Sequence, residues 1–142
     1  MKDSAKTCRR IAAPWNKKVH LSGGIFSHDK TLDLKDYAEE IAESKILANT
    51  QTVSGRIQVK GRVSQTLSCG TFLLEQENPE TREYLKGIPI EFWKDIDELE
   101  SKITYFLKNE ALREEVASNA HKLWKERYSI QKFIDAIVNG IQ

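Results

Sequence analysis

The sequence predicts an α/β fold: a Rossmann-like parallel sheet with crossover helices, closed by a helical C-terminal tail. Three observations carry this. Short strand-like runs at 45–49, 71–75 and 88–92 alternate with helical segments, as parallel strands joined by crossovers do. The run Thr71-Phe72-Leu73-Leu74-Glu75 is apolar without interruption until its last residue, as a central parallel strand should be. From residue 95 onward the apolar spacing stays helical.

Each element has a local reason. Asp33 is a candidate N-cap for a helix through about Ser44, with Leu34, Tyr37, Ala38 and Ile41 on one face. Lys45 to Asn49 reads as a short buried strand, followed by a polar loop over 50–61. A helix from about Arg62 to Cys69 stops at Gly70, where a positive φ is needed. Asn78-Pro79 opens a third helix and Gly87 ends it. Ile88-Pro89-Ile90-Glu91-Phe92 is the third strand, its proline suiting an edge or a strand start. Asp95 with Glu98 makes a capping-box-like start to a helix whose inner face is Ile96, Leu99, Ile103, Phe106 and Leu107. A helix over 110–127 presents Leu112, Val116, Ala120, Leu123 and Trp124. Ser129 caps a last helix with Phe133, Ile137 and Ile141 expected inward.

The 142 residues suffice for one domain of ordinary size and contain no apolar run of membrane-spanning length. The N-terminus has no apolar stretch behind its charges, so no secretory signal is read and the expected compartment is the cytoplasm. Cys8 and Cys69 form neither a disulfide framework nor a metal set. Net charge is +1, but its distribution is uneven. Residues 1–20 hold six bases and one acid, whereas 75–100 hold nine acids and three bases. Residues 1–30 are read as a basic arm or an incomplete edge of the fold, and 31–142 as the domain. The arm lacks aromatic interleaving beyond Trp15, so nucleic acid is not the expected partner.

In open parallel sheets ligands bind outside the carboxyl ends of the strands. The loop from Asn49 to Gly61 leads from such an end into a helix start. It carries Arg56, Lys60 and Arg62, with no acid over 51–64, and Gly55 and Gly61. Backbone N–H groups, a helix dipole and three cations suit an anion such as a diphosphate. The competing reading is a plain basic loop, with Gly55 and Gly61 as turn residues and no Gly-x-Gly dinucleotide spacing. The loop Gln76-Glu77-Asn78-Pro79-Glu80 offers carboxylates and amides for hydroxyl groups.

Other candidates are weaker. His20, His28 and His121 are scattered without partners, and His121 is placed on the polar side of its helix. Ser54, Ser64 and Ser68 form no nucleophile elbow, and Cys69 reads as a packing residue. No metal site is legible.

The order Ser44-Lys45-Ile46-Leu47-Ala48-Asn49, Lys60-Gly61-Arg62-Val63-Ser64-Gln65 and Ser68-Cys69-Gly70 through Glu75 resembles the C-terminal domain of GT-B glycosyltransferases. It is most similar to the group 1 type related to the CgeB spore-maturation proteins. The Asn78-Pro79-Glu80 turn, Asp95-Ile96-Asp97-Glu98-Leu99, Arg113 to Asn119 and Tyr128-Ser129 through Phe133 extend the likeness. It covers 37–142, and 19–36 more loosely.

The resemblance implies one half of a GT-B fold that binds a nucleotide-sugar donor and helps transfer its glycosyl group without a metal or other cofactor. The diphosphate is expected at Arg56, Lys60, Gly61 and Arg62. The ribose or sugar is expected at Gln65, Asn49 and Glu77. The family's helix-start glutamate is Gln65 here, an amide in place of a charged acceptor. The acceptor-side N-terminal domain has no counterpart in this sequence, so the expectation is a truncated or split enzyme. Its possible partner is a separate chain supplying that domain, and no catalytic residue is assigned. The alternative is a degenerate, non-catalytic binding module that keeps the half-fold.

Overall fold

The computed structural model describes residues 33–51 and 58–140. The expected arm, Ser54, Gly55, Arg56 and Ile141 lie outside the described residues. The elements in chain order are α1 Leu34–Glu43, β1 Ile46–Asn49, α2 Gly61–Cys69, β2 Phe72–Gln76, α3 Pro79–Tyr84, β3 Glu91–Trp93, α4 Ile96–Lys108, α5 Glu110–Arg127 and α6 Ile130–Gly140. The three strands form one parallel sheet in the order β1-β2-β3. Ile46 pairs with Phe72 and Asn49 with Glu75, while Gln76 pairs with Trp93. The architecture is the expected Rossmann-like α/β layer with a helical C-terminal stretch.

Alternation along β2 sends Phe72 and Leu74 to one face and Leu73 and Glu75 to the other. Phe72 and Leu74 join Trp93, Leu99, Phe106 and Ala117, with the Phe72 and Phe106 rings 4.4 Å apart. Leu73 joins Val63, Leu67, Leu85, Ile88, Ala120 and Trp124. Helix α4 therefore covers the first face and α2 the second, while α5 supplies residues to both clusters. Glu75 is thus the one charged residue of β2, and it lies beneath α2.

The caps follow the sequence. Asp33, Asn78 and Asp95 each accept a first-turn N–H at 2.8 Å. Glu98 returns the favour by accepting the Lys94 N–H at 2.9 Å. Gly70 sits at φ 76° and closes α2. A β-carbon there would meet only the His121 ring at 3.7 Å, an ordinary contact. Gly70→Ala is therefore expected to cost about 1–2 kcal/mol through backbone strain alone, read as a lower urea midpoint with an unchanged slope.

Several sequence expectations are corrected. The third strand begins at Glu91, not Ile88, because Ile88 donates to Leu85 in a turn and Pro89 has no N–H for a ladder. The third helix ends at Tyr84, before the turn that carries Gly87 at φ 82°. On α1 only Ile41 is buried, and Leu34 is exposed. Strand β1 lies at the edge of the described sheet, with Ala48 exposed.

Helix α5 buries Arg113, Ala117, Ala120 and Trp124, turned one residue from the leucine stripe, so Leu112 and Leu123 face outward. Arg113 is tolerated inside because its guanidinium donates to the Phe106 carbonyl at 2.9 Å and to Glu110 at 2.7 Å. Leu107 is exposed, and so is the apolar face of α6: Phe133 is 68% and Ile137 48% accessible. His121 is half-buried, with Nδ1 donating to the Leu67 carbonyl at 2.7 Å at the negative end of α2. Ala120 and Trp124 are buried as the spacing predicts, while the small Ala117 and the charged Arg113 take the positions expected of leucines.

Candidate functional site

The carboxyl ends of β1 and β2 meet the start of α2, and the predicted residues divide there into distinct groups. Asn49 ends β1 fully buried, and its Nδ2 donates to Glu75 Oε2 at 2.7 Å. The parallel register that pairs Asn49 with Glu75 makes this contact direct. Gln51 extends the set: its N–H donates to Gln76 Oε1 at 2.8 Å, and its Nε2 reaches Glu75 Oε1 at 3.5 Å. Asn49 Oδ1 and Gln51 Oε1 are buried acceptors with no donor among the described residues.

Lys60 occupies the N-cap position of α2 but caps nothing with its side chain. Its ammonium instead donates to the Thr50 carbonyl at 2.6 Å, pinning the two ends of the loop together. Gly61 and Arg62 then open the helix with no acid in its first turn. Gly61 is exposed, and a β-carbon on it would meet none of the described residues within 4 Å. Fold packing therefore does not demand glycine here. Close approach of a ligand to the backbone does supply a reason.

Electrostatics sharpen the picture. Burial raises the Glu75 carboxyl to about 7, against the Asn49 hydrogen bond and the Lys60 charge, which both pull it down. Burial lowers the Lys60 ammonium, with Arg62 adding repulsion and Glu75 opposing both. A buried carboxylate and two cations thus share the space under and around one helix start.

The other predicted residues stand apart. Gln65 is exposed one turn along α2 and accepts from the Tyr37 hydroxyl at 3.4 Å. Glu77 lies past β2, where it accepts from Arg82 Nε at 2.8 Å and faces Lys94 at 3.7 Å. The Arg82 hydrogen bond first, then the charges of Arg82 and Lys94, hold its carboxyl below the usual range. Arg82 also lies over the Phe92 ring at 4.3 Å. Glu77 is therefore held between two cations, with acceptor positions left on its oxygens.

Sequence reasoning missed Glu75 and Gln51. The available signal was a charge at the end of an otherwise apolar strand, opposite the asparagine that ends its neighbour. Among the described residues no group of three or more His, Cys, Asp or Glu is placed to hold a metal. No helix there is long and apolar enough to cross a membrane.

A parallel layer with an uncapped, cation-bearing helix start at its carboxyl edge defines a Rossmann-like half-fold. The family described as glycosyl transferase-like matches residues 4–139, and the chain belongs to it. No curated protein and no solved structure matches the chain. A role connected with glycosyl transfer is therefore supported at the level of the family.

Proposed function

We propose that this chain is the donor-binding half of a GT-B, CgeB-like glycosyltransferase, taking a nucleotide-sugar at the carboxyl edge of β1 and β2. The observation that carries the reading is the start of α2. Lys60, Gly61 and Arg62 bring backbone N–H groups, the positive helix end and two cations to one place, with no acid in that turn. The diphosphate lies there, with Arg56 of the preceding loop as a further cation. Gln65, one turn on, is the acceptor for a ribose hydroxyl, and Asn49 anchors the floor through Glu75. Charge drawn onto the departing diphosphate in the transition state is stabilised by the same donors.

Transfer itself needs an acceptor-side domain, supplied by another chain or by more of the same polypeptide. The exposed apolar face of α6, with Ile130, Phe133, Ile134, Ile137 and Val138, is a surface suited to such a partner. A cytoplasmic setting belongs to the same proposal and rests on the sequence alone. One observation favours the non-catalytic module: Gln65 is neutral and already held by Tyr37. Donor turnover on adding the complementary domain separates the two readings.

The test is a thermal-shift panel of nucleoside diphosphates and nucleotide-sugars. A specific member should raise the melting temperature in a concentration-dependent way. Arg62→Ala should weaken that member about tenfold or more, the loss of one charge-assisted contact. A panel in which nothing shifts the transition overturns the proposal.

A further inference from the structure

We infer that Glu75 is a proton site coupled to the anion site, so that the chain takes up a proton at Glu75 when a nucleotide-sugar binds at the start of α2. This rests on the donor reading above and adds to it a positioning residue that does not touch the ligand. Glu75 is fully buried on the β2 face that α2 covers, and Lys60, the residue that opens α2, acts on its charge. A diphosphate at that helix start and a charged Glu75 therefore draw on one set of cations. A second negative charge beside Lys60 makes the ionised form of the buried Glu75 costlier to hold.

The buried amide beside Glu75 points the same way. Asn49 gives its Nδ2 to the carboxyl, while its own Oδ1 is buried without a donor among the described residues. An ionised Glu75 has no proton to offer it. A protonated Glu75 keeps an acceptor for Asn49 Nδ2 and gains a donor, which the carboxylate lacks. The neutral form thus suits a buried amide oxygen in need of a donor better than the ionised form does.

The surrounding charges do not undo the argument. Lys60 faces Glu75 from the loop, and Arg62 on α2 acts on Lys60. Strand β1 offers the uncharged Asn49, and the β3 neighbour in register is Phe92. Glu77, two residues on, has its own cations in Arg82 and Lys94. Burial already leaves the Glu75 carboxyl at about 7, so a nearby anion moves its proton within the neutral range.

Binding reciprocity then sets the sign: an anion that raises the proton affinity of Glu75 is bound more tightly when Glu75 is protonated. The experiment is calorimetric titration of the full chain with UDP-glucose and GDP-mannose, whose diphosphate diesters do not titrate near neutral pH. Runs near pH 6 and pH 8.5, in buffers of different ionisation enthalpy, give affinity and proton uptake together. We expect roughly tenfold tighter binding at the lower pH, the effect of a one-unit change in a coupled pKa. Uptake should be a fraction of one proton near pH 7.5.

Glu75→Gln should bind at least as tightly as the wild type at low pH, with no pH dependence and no uptake. Flat wild-type affinity without uptake overturns the inference while leaving the donor reading intact, and so does an unchanged pH profile in Glu75→Gln. The wild-type proton count decides the matter even if that variant fails to fold. Absence of binding at every pH overturns the donor reading and this inference with it.

Discussion

Asn49→Leu is expected to lower stability by about 1.4 kcal/mol more near pH 8 than near pH 5.5, the limit set by a carboxyl raised to about 7 in the wild type. The substitution keeps the number and branching of side-chain heavy atoms but removes the Nδ2 donor that holds Glu75 at 2.7 Å. At the higher pH a carboxylate is left fully buried with only the longer Gln51 contact and the Lys60 charge to offset it. At the lower pH the carboxyl is protonated, and an uncharged group tolerates the missing donor far better. Denaturant unfolding at the two pH values measures the difference directly. Equal losses at both would mean that Asn49 acts through packing and not through the charge of Glu75.

Glu75→Gln is expected to do the opposite, stabilising the protein near pH 8. The folded carboxyl is raised from 4.5 to about 7, so the native state binds the proton more tightly than the unfolded chain does. Wild-type stability is therefore full below the unfolded value and falls as pH rises through the window from 4.5 to about 7. A shift of that size, at about 1.4 kcal/mol per unit, amounts to about 3 kcal/mol. The amide variant keeps an acceptor for Asn49 and carries no charge, so it should lack this decline. The two proteins should be nearly equal near pH 5 and separate as pH rises. Parallel stability profiles would show that Glu75 is not the group responsible. A residue whose ionised form destabilises the fold is the kind retained for what it does at a site.

Much of this layout was legible in the residues. The uninterrupted apolar run of β2 and capping patterns such as Asn78-Pro79 and Asp95 with Glu98 report local backbone chemistry, and the structure follows them closely. Where packing between elements decides, the pattern was less informative. On α5 the spacing found Ala120 and Trp124 but not Arg113 and Ala117, a charged and a small residue whose burial is set by hydrogen bonding and close packing that hydropathy does not register. The face of α6 reads as a core face from its period, yet it is exposed in this chain.

The site divides in the same manner. Lys60, Gly61 and Arg62 follow from a loop and a helix start and were visible along the chain. Glu75 and its contact with Asn49 depend on the register between two strands 26 residues apart, which no local pattern encodes. The cations around Glu77, Arg82 and Lys94, come to it from α3 and from just past β3, which the run Gln76-Glu77-Asn78 does not reveal.

The central claim is that a nucleotide-sugar approaches the backbone at the start of α2, and Gly61 tests it most directly. Among the described residues nothing stands within 4 Å of a β-carbon there, so Gly61→Val should fold with wild-type stability to within about 0.5 kcal/mol. The same side chain would stand where the diphosphate must meet the helix N–H groups. Titration of the nucleotide-sugar that binds the wild type should show affinity reduced at least about tenfold in Gly61→Val. Undiminished affinity in that variant, with its fold intact, would place the ligand elsewhere and contradict the account.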